Sequence, residues 1–227
     1  LTQALQLFRD LDDEHGHACA LNQLGQVQWR TGEYPAATAS LTQALQLFRD
    51  LSDRPGQAWT LHDLGVVQRR TGDYPAAAAS LTQALDLFRD LGHRRGQAWA
   101  LHDLGVVQQL TGDYPAATSS LTQALQLFRD LDDRHGQAWA SINLGEFLFL
   151  SSAYREARSY FTKALVIARD IDTPVEEARA LEGIGRCHVR EGNPGQGAAD
   201  LRQALDIYRR SGAPEAQRVE TPPYDHL

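Results

Sequence analysis

The residues best suited to metal binding or acid–base chemistry are two His-Asp pairs, His62-Asp63 and His102-Asp103, which lie forty residues apart. Imidazole and carboxylate groups bind divalent metals and also act as general acids and bases. If each forty-residue unit is a helical hairpin, the helices that carry the two pairs lie about 10 Å apart. One ion would then bridge two units at most, with few other ligands nearby. We therefore expect no metal site and no catalytic residue, and we interpret the pairs as the polar lining of a groove.

Two glycine-rich segments have a superficial likeness to nucleotide-binding loops. Gly192–Gly197 has no predicted strand before it and no Lys-Ser/Thr pair after it, so we interpret it as a turn between helices. Gly183-Ile184-Gly185 is interpreted as part of a helix. The sequence contains no Gly-x-Ser-x-Gly, HExxH or CxxC motif. We therefore expect a protein that is not an enzyme and that binds no cofactor.

The elements that would position any functional residue come from a sequence that repeats every forty residues. The string LTQALQLFRD occurs at residues 1–10, 41–50 and 121–130, and LTQALDLFRD occurs at residues 81–90. A repeat of this length indicates stacked units of secondary structure that form a core only jointly. Near-identical units place the same groups at every step, which favours binding over catalysis.

Each unit has the pattern of two amphipathic helices. In the second unit, Asp53 is a predicted N-cap, and apolar residues follow at helical spacing in the segment Gln57–Arg70. Gly72 predicts the end of this helix, and Tyr74-Pro75 predicts the start of the next. Thr173-Pro174-Val175-Glu176 predicts a capping box at the start of the fifth unit. The unit is therefore expected to be a helical hairpin.

Three features recur at the same places in successive units, namely a Leu-Gly pair in the first helix, a turn glycine and a tyrosine: Leu24-Gly25, Leu64-Gly65, Leu104-Gly105 and Leu144-Gly145; Gly32, Gly72, Gly112 and Gly192; Tyr34, Tyr74, Tyr114 and Tyr154. This pattern resembles the tetratricopeptide repeat family over almost the whole chain. The unit is longer than the roughly 34 residues usual in that family. Glutamine also stands at positions 28, 68 and 108, where the family often has an aromatic residue. The resemblance implies an all-α fold, a right-handed α-solenoid of tandem helix-turn-helix repeats.

The resemblance also implies a division of the chain into repeats. We expect a half repeat at residues 1–13, five repeats and a flexible C-terminal segment at residues 212–227. The repeats span residues 14–53, 54–93, 94–133, 134–173 and 174–211. Because Pro194 and Gly197 replace Tyr and Ala in the divergent fifth repeat, its second helix is expected to be the least stable. The C-terminal segment is rich in Pro and Glu and is expected to be disordered.

Composition restricts the partners and the compartment. The 227 residues carry a formal net charge of −7, so no basic field favours nucleic acid. No apolar run approaches the roughly 20 residues that cross a bilayer, so no membrane partner is expected. The only cysteines, Cys19 and Cys187, lie in distant repeats, which indicates a reduced, cytoplasmic protein. The chain has no Met and Leu1 lies inside a repeat unit, so we expect a fragment of a longer protein.

In this family the first helix of each repeat, here called helix A, lines a concave groove, and the second, helix B, lies on the convex face. Trp59, Trp99 and Trp139 recur on helix A opposite the core leucines, and Trp is enriched at binding hot spots. An open alternative is that each Trp packs against the adjoining repeat. Trp139, Ile142 and Phe149 are predicted to form an apolar patch that needs a cover, either a partner or the C-terminal segment. The other predicted groove residues are His62, His102, Asn22, Asn143, Trp29, Arg30, Arg69, Arg70, Arg179, Arg186 and Arg190.

The resemblance thus implies a non-catalytic scaffold that binds a protein or peptide in the concave groove. Near-identical forty-residue repeats also resemble the C-terminal arrays of large transcriptional regulators and signal-transduction NTPases of high-GC bacteria. There the repeats would act as a sensor or autoinhibitory arm on other domains of the same chain. Two alternatives stay open. One is a receptor for a small signalling peptide, which would use Asn22 and Asn143; the other is a self-assembly module in which Leu1, Leu5 and Phe8 join another chain.

Overall fold

The computed structural model of the protein describes residues 2–216, and within that range all regular structure is helical. The predicted flexible segment at residues 212–227 therefore lies mostly outside the described residues. Helices A are α2, α4, α6, α8 and α10, and helices B are the other six. The helices are α1 (Thr2–Asp10), α2 (Glu14–Arg30), α3 (Tyr34–Asp50), α4 (Arg54–Arg70), α5 (Tyr74–Asp90), α6 (Arg94–Leu110), α7 (Tyr114–Asp130), α8 (Arg134–Leu150), α9 (Tyr154–Asp170), α10 (Pro174–Arg190) and α11 (Pro194–Ser211).

Local signals account for most helix ends. The Asp53 carboxylate accepts a hydrogen bond from the Gly56 N–H at 3.0 Å and caps α4, as predicted. Gly72 follows α4 with a φ of 83°, which glycine adopts at little cost. The capping box predicted at Thr173 is wrong, since its hydroxyl donates to the Ala168 carbonyl at 3.3 Å and makes no N-cap bond. Because this hydroxyl points back to the preceding helix, its oxygen does not reach the first turn of α10.

Helix A packs on helix B of the same repeat at the Leu-Gly pair. A Cβ atom on Gly65 would lie only 2.6 Å from Cγ of Leu81 and 3.3 Å from the Ala77 carbonyl oxygen. Leu81 and Ala77 are both fully buried, so neither has room to move aside. The glycine therefore allows α4 and α5 to approach closely. Gly25 meets Leu41 in the same way in the preceding repeat.

The molecule divides into two compact units, Leu1–Ser120 and Leu121–Leu227. In the first unit α2 contacts α4 directly and α4 contacts α6, whereas no direct contact joins α3 to α5 within its described residues. In the second unit α8 contacts α10 in the same way. Each unit thus has two layers: helices A touch one another in succession, and helices B are held apart by them.

Candidate functional site

In the first unit, polar side chains join α2 to α4 along the layer of helices A. The Asn22 amide donates hydrogen bonds to the Thr60 hydroxyl at 3.1 Å and to an Asp63 carboxylate oxygen at 3.3 Å. The Gln26 amide donates to the same carboxylate oxygen at 2.8 Å. Hydrogen bonds to a charged acceptor are stronger than neutral ones. Asp63 therefore ties two consecutive helices A together.

A second polar cluster joins α4 to α6. Nε2 of His62 lies 3.0 Å from Oδ2 of Asp103, and a guanidinium nitrogen of Arg69 lies 3.5 Å from Oδ1. Nδ1 of His102 lies 3.6 Å from the same Oδ1 atom. The exposed fractions of His62, Asp103 and His102 are only 9%, 7% and 2%. These groups are therefore contacts between neighbouring helices A, not the lining of an open groove as the sequence predicted.

The pairing determines the charge state of the cluster. Burial by itself would lower the pKa of His62, but its hydrogen bond to Asp103 and the negative charges of Asp103 and Asp63 raise it to about 9. Burial would raise the pKa of Asp103, yet the nearby His102 imidazole and the hydrogen bond from His62 hold it well below its usual range. His62 is thus a cation and Asp103 an anion near neutral pH. A histidine held protonated by two carboxylates is a structural ion pair and a poor general base.

In the second unit, α8 and α10 are joined through arginine. A guanidinium nitrogen of Arg186 lies 3.0 and 3.1 Å from the two carboxylate oxygens of Glu146. The guanidinium carbon of Arg186 also lies 4.1 Å from the ring centre of Phe149. The guanidinium carbon of Arg179 lies 5.8 Å from the ring centre of Trp139. Such cation–π contacts hold an aromatic ring in one orientation. Phe149 and Trp139 are therefore positioned by the next helix A.

The tryptophans on helices A are partly exposed and pack by one side on their neighbours. The Trp59 ring centre lies 4.8 Å from that of Phe88 on α5 and 5.5 Å from that of His93 in the following turn. Trp99 lies 5.8 Å from His102 on its own helix. Ring packing within the repeat thus accounts for part of the surface of Trp59 and Trp99, and the rest of each side chain stays accessible.

The predicted apolar patch of Trp139, Ile142 and Phe149 is wrong in one member. Ile142 is 1% exposed and belongs to a core cluster with Phe161 and Ile184. It occupies the same place in helix A as His62 and His102, and that place faces the neighbouring helices. The remaining predicted groove residues divide by burial: Arg30, Arg70 and Arg190 are exposed, and Asn22, Asn143, Trp29, Arg69, Arg179 and Arg186 are half-buried.

Sequence reasoning missed a second cluster, which lies between α7, α8 and α9 in the second unit. Ser141, Lys163 and Val166 line a groove there. The signal that would have found them is a comparison of equivalent positions at the forty-residue period. Each of the three departs from the residue type that the other repeats carry at that position.

The two free cysteines in the described part of the chain are not activated as nucleophiles. Burial raises the pKa of both free thiols, that of Cys187 to about 11. Both cysteines therefore stay protonated near neutral pH and are weak nucleophiles. Residues 2–216 hold no group of three or more side chains arranged to bind a metal ion. No helix in this range is both long and apolar enough to cross a bilayer.

Comparison with solved structures shows the same fold in several proteins. BtubC (BKLC) from P. vanneervenii superimposes with a TM-score of 0.80 at 17% identity, covering 93% of this chain and 89% of that one. A Rap protein complexed with competence and sporulation factor gives 0.79 at 16% identity, covering 90% and 56%. Aspartyl phosphate phosphatase F from Bacillus subtilis gives 0.78 at 14% identity, covering 91% and 54%. The chain thus spans little more than half of the last two proteins, and at these identities the likeness concerns the fold alone.

A family model supplies the relationship that these structures do not. No curated protein sequence matches the chain significantly. The tetratricopeptide repeat model, however, matches four overlapping segments, residues 16–90, 58–130, 96–170 and 136–210. Each segment contains consecutive helical hairpins of the solenoid. This chain therefore belongs to the tetratricopeptide repeat family.

Proposed function

We propose that the chain is a non-catalytic scaffold that binds a protein or peptide on the layer formed by its helices A. The observation that carries this proposal is the recurrence of a partly exposed tryptophan at one place on successive helices A, at Trp59, Trp99 and Trp139. A tryptophan side chain offers a large apolar surface with little conformational entropy to lose, and it is the residue most enriched at hot spots. Within each unit, this surface suits an extended or helical segment that contacts consecutive repeats.

The polar contacts between helices A support this role by holding the surface in place. Asp63 and Asp103 each bind side chains of a neighbouring helix A in the first unit, and Glu146 binds Arg186 in the second. A surface that is already ordered loses less entropy when a partner binds. The same residues that looked like a reactive site in the sequence thus have a role in preorganisation.

Charge indicates the character of the partner. Arg30, Arg70 and Arg190 are exposed at the C-terminal ends of α2, α4 and α10. Guanidinium groups bind carboxylates and phosphates through two parallel hydrogen bonds. A partner segment with acidic side chains beside apolar ones would use both the arginines and the tryptophans.

We also propose that the chain is the sensor or regulatory arm of a larger cytoplasmic bacterial regulator, with other domains of that protein as ligands. The support is the near identity of its forty-residue repeats. A receptor for a small signalling peptide is less well supported. The Asn22 amide, which such a receptor would use, is already bonded to Thr60 and Asp63 on the neighbouring helix.

A pull-down from the host lysate tests the scaffold proposal. Wild type and a Trp99→Ala/Trp139→Ala variant are compared, with Tyr114→Ala as the control for loss of a partly exposed aromatic ring outside helices A. We expect a partner that wild type and Tyr114→Ala retain and that the double variant loses. Equal capture by all three folded proteins would refute binding through helices A. The regulatory arm is tested separately, by adding the remaining domains of the full-length protein in trans.

Self-assembly is the second candidate, and one observation favours it. Leu7 and Leu11, in and just after α1, are 56% and 65% exposed, so together they offer apolar surface to a second copy. Sedimentation at several concentrations tests this alternative. Association that Leu7→Gln/Leu11→Gln abolishes would support it, and a monomer at all concentrations would exclude it.

A further inference from the structure

A groove between α7, α8 and α9 has the volume and lining of a second binding site. Its volume is about 320 Å³, and all of its lining lies in the unit Leu121–Leu227. Leu125 and Arg129 of α7 form one wall, Ser141 of α8 lies at the base, and Lys163 and Val166 of α9 form the other wall. The groove thus lies between two helices B, with a helix A beneath them.

A core leucine of the repeat pattern is replaced by serine at the base of the groove. Ser141 is buried at the place in helix A where every other repeat has a leucine. Serine is smaller than leucine by two heavy atoms and lacks its branched methyl groups, so space opens between the two helices B. It also places a hydroxyl, which donates and accepts hydrogen bonds, at the base of this space. The equivalent leucines, all buried, are Leu21, Leu61, Leu101 and Leu181.

Two further departures from the repeat lie on the wall of the same groove. Lys163 is the only lysine of the chain, and Val166 is 61% exposed. At the position of Lys163 the other helices B have glutamine, and at that of Val166 they have glutamine or aspartate. An exposed valine in place of a charged or amide side chain lowers solubility, and in the free protein no burial of its side chain compensates for this. The three departures together combine an apolar wall, a hydroxyl and a new positive charge.

The positively charged side chains that line the groove favour an anionic ligand. Within residues 2–216 neither Arg129 nor Lys163 pairs with a carboxylate. The Lys163 ammonium lies 4.7 Å from the ring centre of Tyr160 instead. A third cation, Arg134, is neutralised by Asp170 at 2.7 Å. In a chain with a net charge of −7, this groove is therefore locally positive.

We propose that this groove binds a peptide segment in which an aliphatic or aromatic side chain stands next to a carboxylate. The apolar side chain packs between Leu125 and Val166 above Ser141, and the carboxylate binds Lys163 and Arg129. A space of this size accommodates one large side chain and its flanking backbone, which fits a short linear motif. This site lies between two helices B above Ser141 and does not require the tryptophans of helices A, so it is separate from the surface proposed above.

Selection from a phage-displayed library of random heptapeptides, with the wild-type chain as bait, tests this proposal. Enriched peptides are synthesised with a fluorescent label, and their Kd values are measured by anisotropy. We expect enriched sequences with Asp or Glu within two positions of an aliphatic or aromatic residue. Their Kd should rise about tenfold or more in Ser141→Leu and in Lys163→Gln. Enriched peptides without acidic residues, no enrichment, or equal Kd values for wild type and Ser141→Leu would overturn the proposal.

The chain offers matched controls. Ser141→Leu, Lys163→Gln and Val166→Gln each restore the residue type of other repeats, so the fold should be retained, and circular dichroism checks this. The Trp99→Ala/Trp139→Ala variant should bind the peptides like wild type, which separates this site from the layer of helices A. Loss of peptide binding in that variant alone would place the peptides on helices A and contradict the proposal.

Lys163 also provides a direct readout of position. Because it is the only lysine, an acylating reagent labels only Lys163 and the α-amino group of the untagged chain. A saturating peptide should slow acylation of Lys163 severalfold and leave that of the α-amino group unchanged, as followed by mass spectrometry. Unchanged acylation of Lys163 in the presence of a bound peptide would show that the peptide lies elsewhere.

Discussion

Nε2 of His62 on α4 lies 3.0 Å from Oδ2 of Asp103 on α6, and the two side chains are only 11% and 9% exposed. Moving two charges out of water is costly, and their attraction offsets the cost only when the geometry is good and other partners are present. Here Arg69 and His102 also approach the Asp103 carboxylate. The pair therefore joins consecutive repeats while it stays charged, and its protonation should appear in the stability of the chain.

Stability should fall as the pH rises from about 6.5 to about 9. The pKa of His62 is about 9 in the folded chain, above its ordinary value of 6.5, so its contribution is complete below 6.5 and is lost as the pH passes 9. The shift corresponds to at most about 3 kcal/mol. Denaturant midpoints measured from pH 6 to 10 should decline in wild type and decline much less in His62→Gln. An equal decline in both proteins would show that the ion pair does not contribute.

Acid should destabilise the same cluster through its carboxylate. The pKa of Asp103 is lowered in the folded chain, so its contribution is present above its ordinary value of 3.8 and is lost as the pH falls. We expect wild type to lose stability between about pH 5 and pH 2, and Asp103→Asn to lose less over that range. Thermal unfolding followed by circular dichroism makes this comparison. A steeper acid loss in Asp103→Asn than in wild type would contradict it.

Two helix starts in this chain form a natural test of N-capping. Asp53 caps α4 through the Gly56 N–H, whereas Thr173 precedes α10 without a capping bond. Asp53→Ala should therefore reduce the free energy of unfolding by about 1 kcal/mol. Thr173→Ala, the control, should cost less than half of that. Urea unfolding gives both values, and a larger loss at Thr173 would show that capping does not explain these helix starts.

The Leu-Gly contact should be sensitive to a single methyl group. Gly65→Ala would place a Cβ atom 2.6 Å from Cγ of the buried Leu81 and should destabilise the chain by about 1–3 kcal/mol. Gly195→Ala is the control, because a Cβ atom there has no neighbour within 4 Å. Alanine also favours the helix over glycine by about 1 kcal/mol, so this control should be neutral or stabilising. Equal effects of the two variants would mean that α4 and α5 can separate at no cost.

Exchanging the residues at one position between repeats should have opposite effects on stability. Ser141→Leu fills the groove with a side chain that is buried at the same position in four other repeats and should add about 1 kcal/mol. Leu61→Ser removes such a side chain from a packed core and should cost about 3 kcal/mol. Both values come from denaturant unfolding. A loss of stability in Ser141→Leu would show that the groove has no room for leucine.

Local signals in the sequence were enough to specify the helical hairpins. Asp53, Gly72 and Tyr74-Pro75 act on their immediate neighbours, so the positions of caps, turn glycines and prolines predict where helices begin and end. The repetition of these signals every forty residues then indicates the repeat architecture. The one local error, at Thr173, arose because its hydroxyl had a competing acceptor in the preceding helix.

Which residues of helix A are exposed and which are buried was decided by the tertiary structure. Helical periodicity shows that His62, His102 and Ile142 share a face of helix A, but it does not show how closely the next helix A approaches that face. In the folded chain the neighbouring helices cover it, so a stripe that looked open is buried. The groove at Ser141 depends on the same effect, because a missing side chain becomes a cavity only where the helices around it stay in place. Burial depends on distances between helices, and those follow from the packing of residues far apart in sequence.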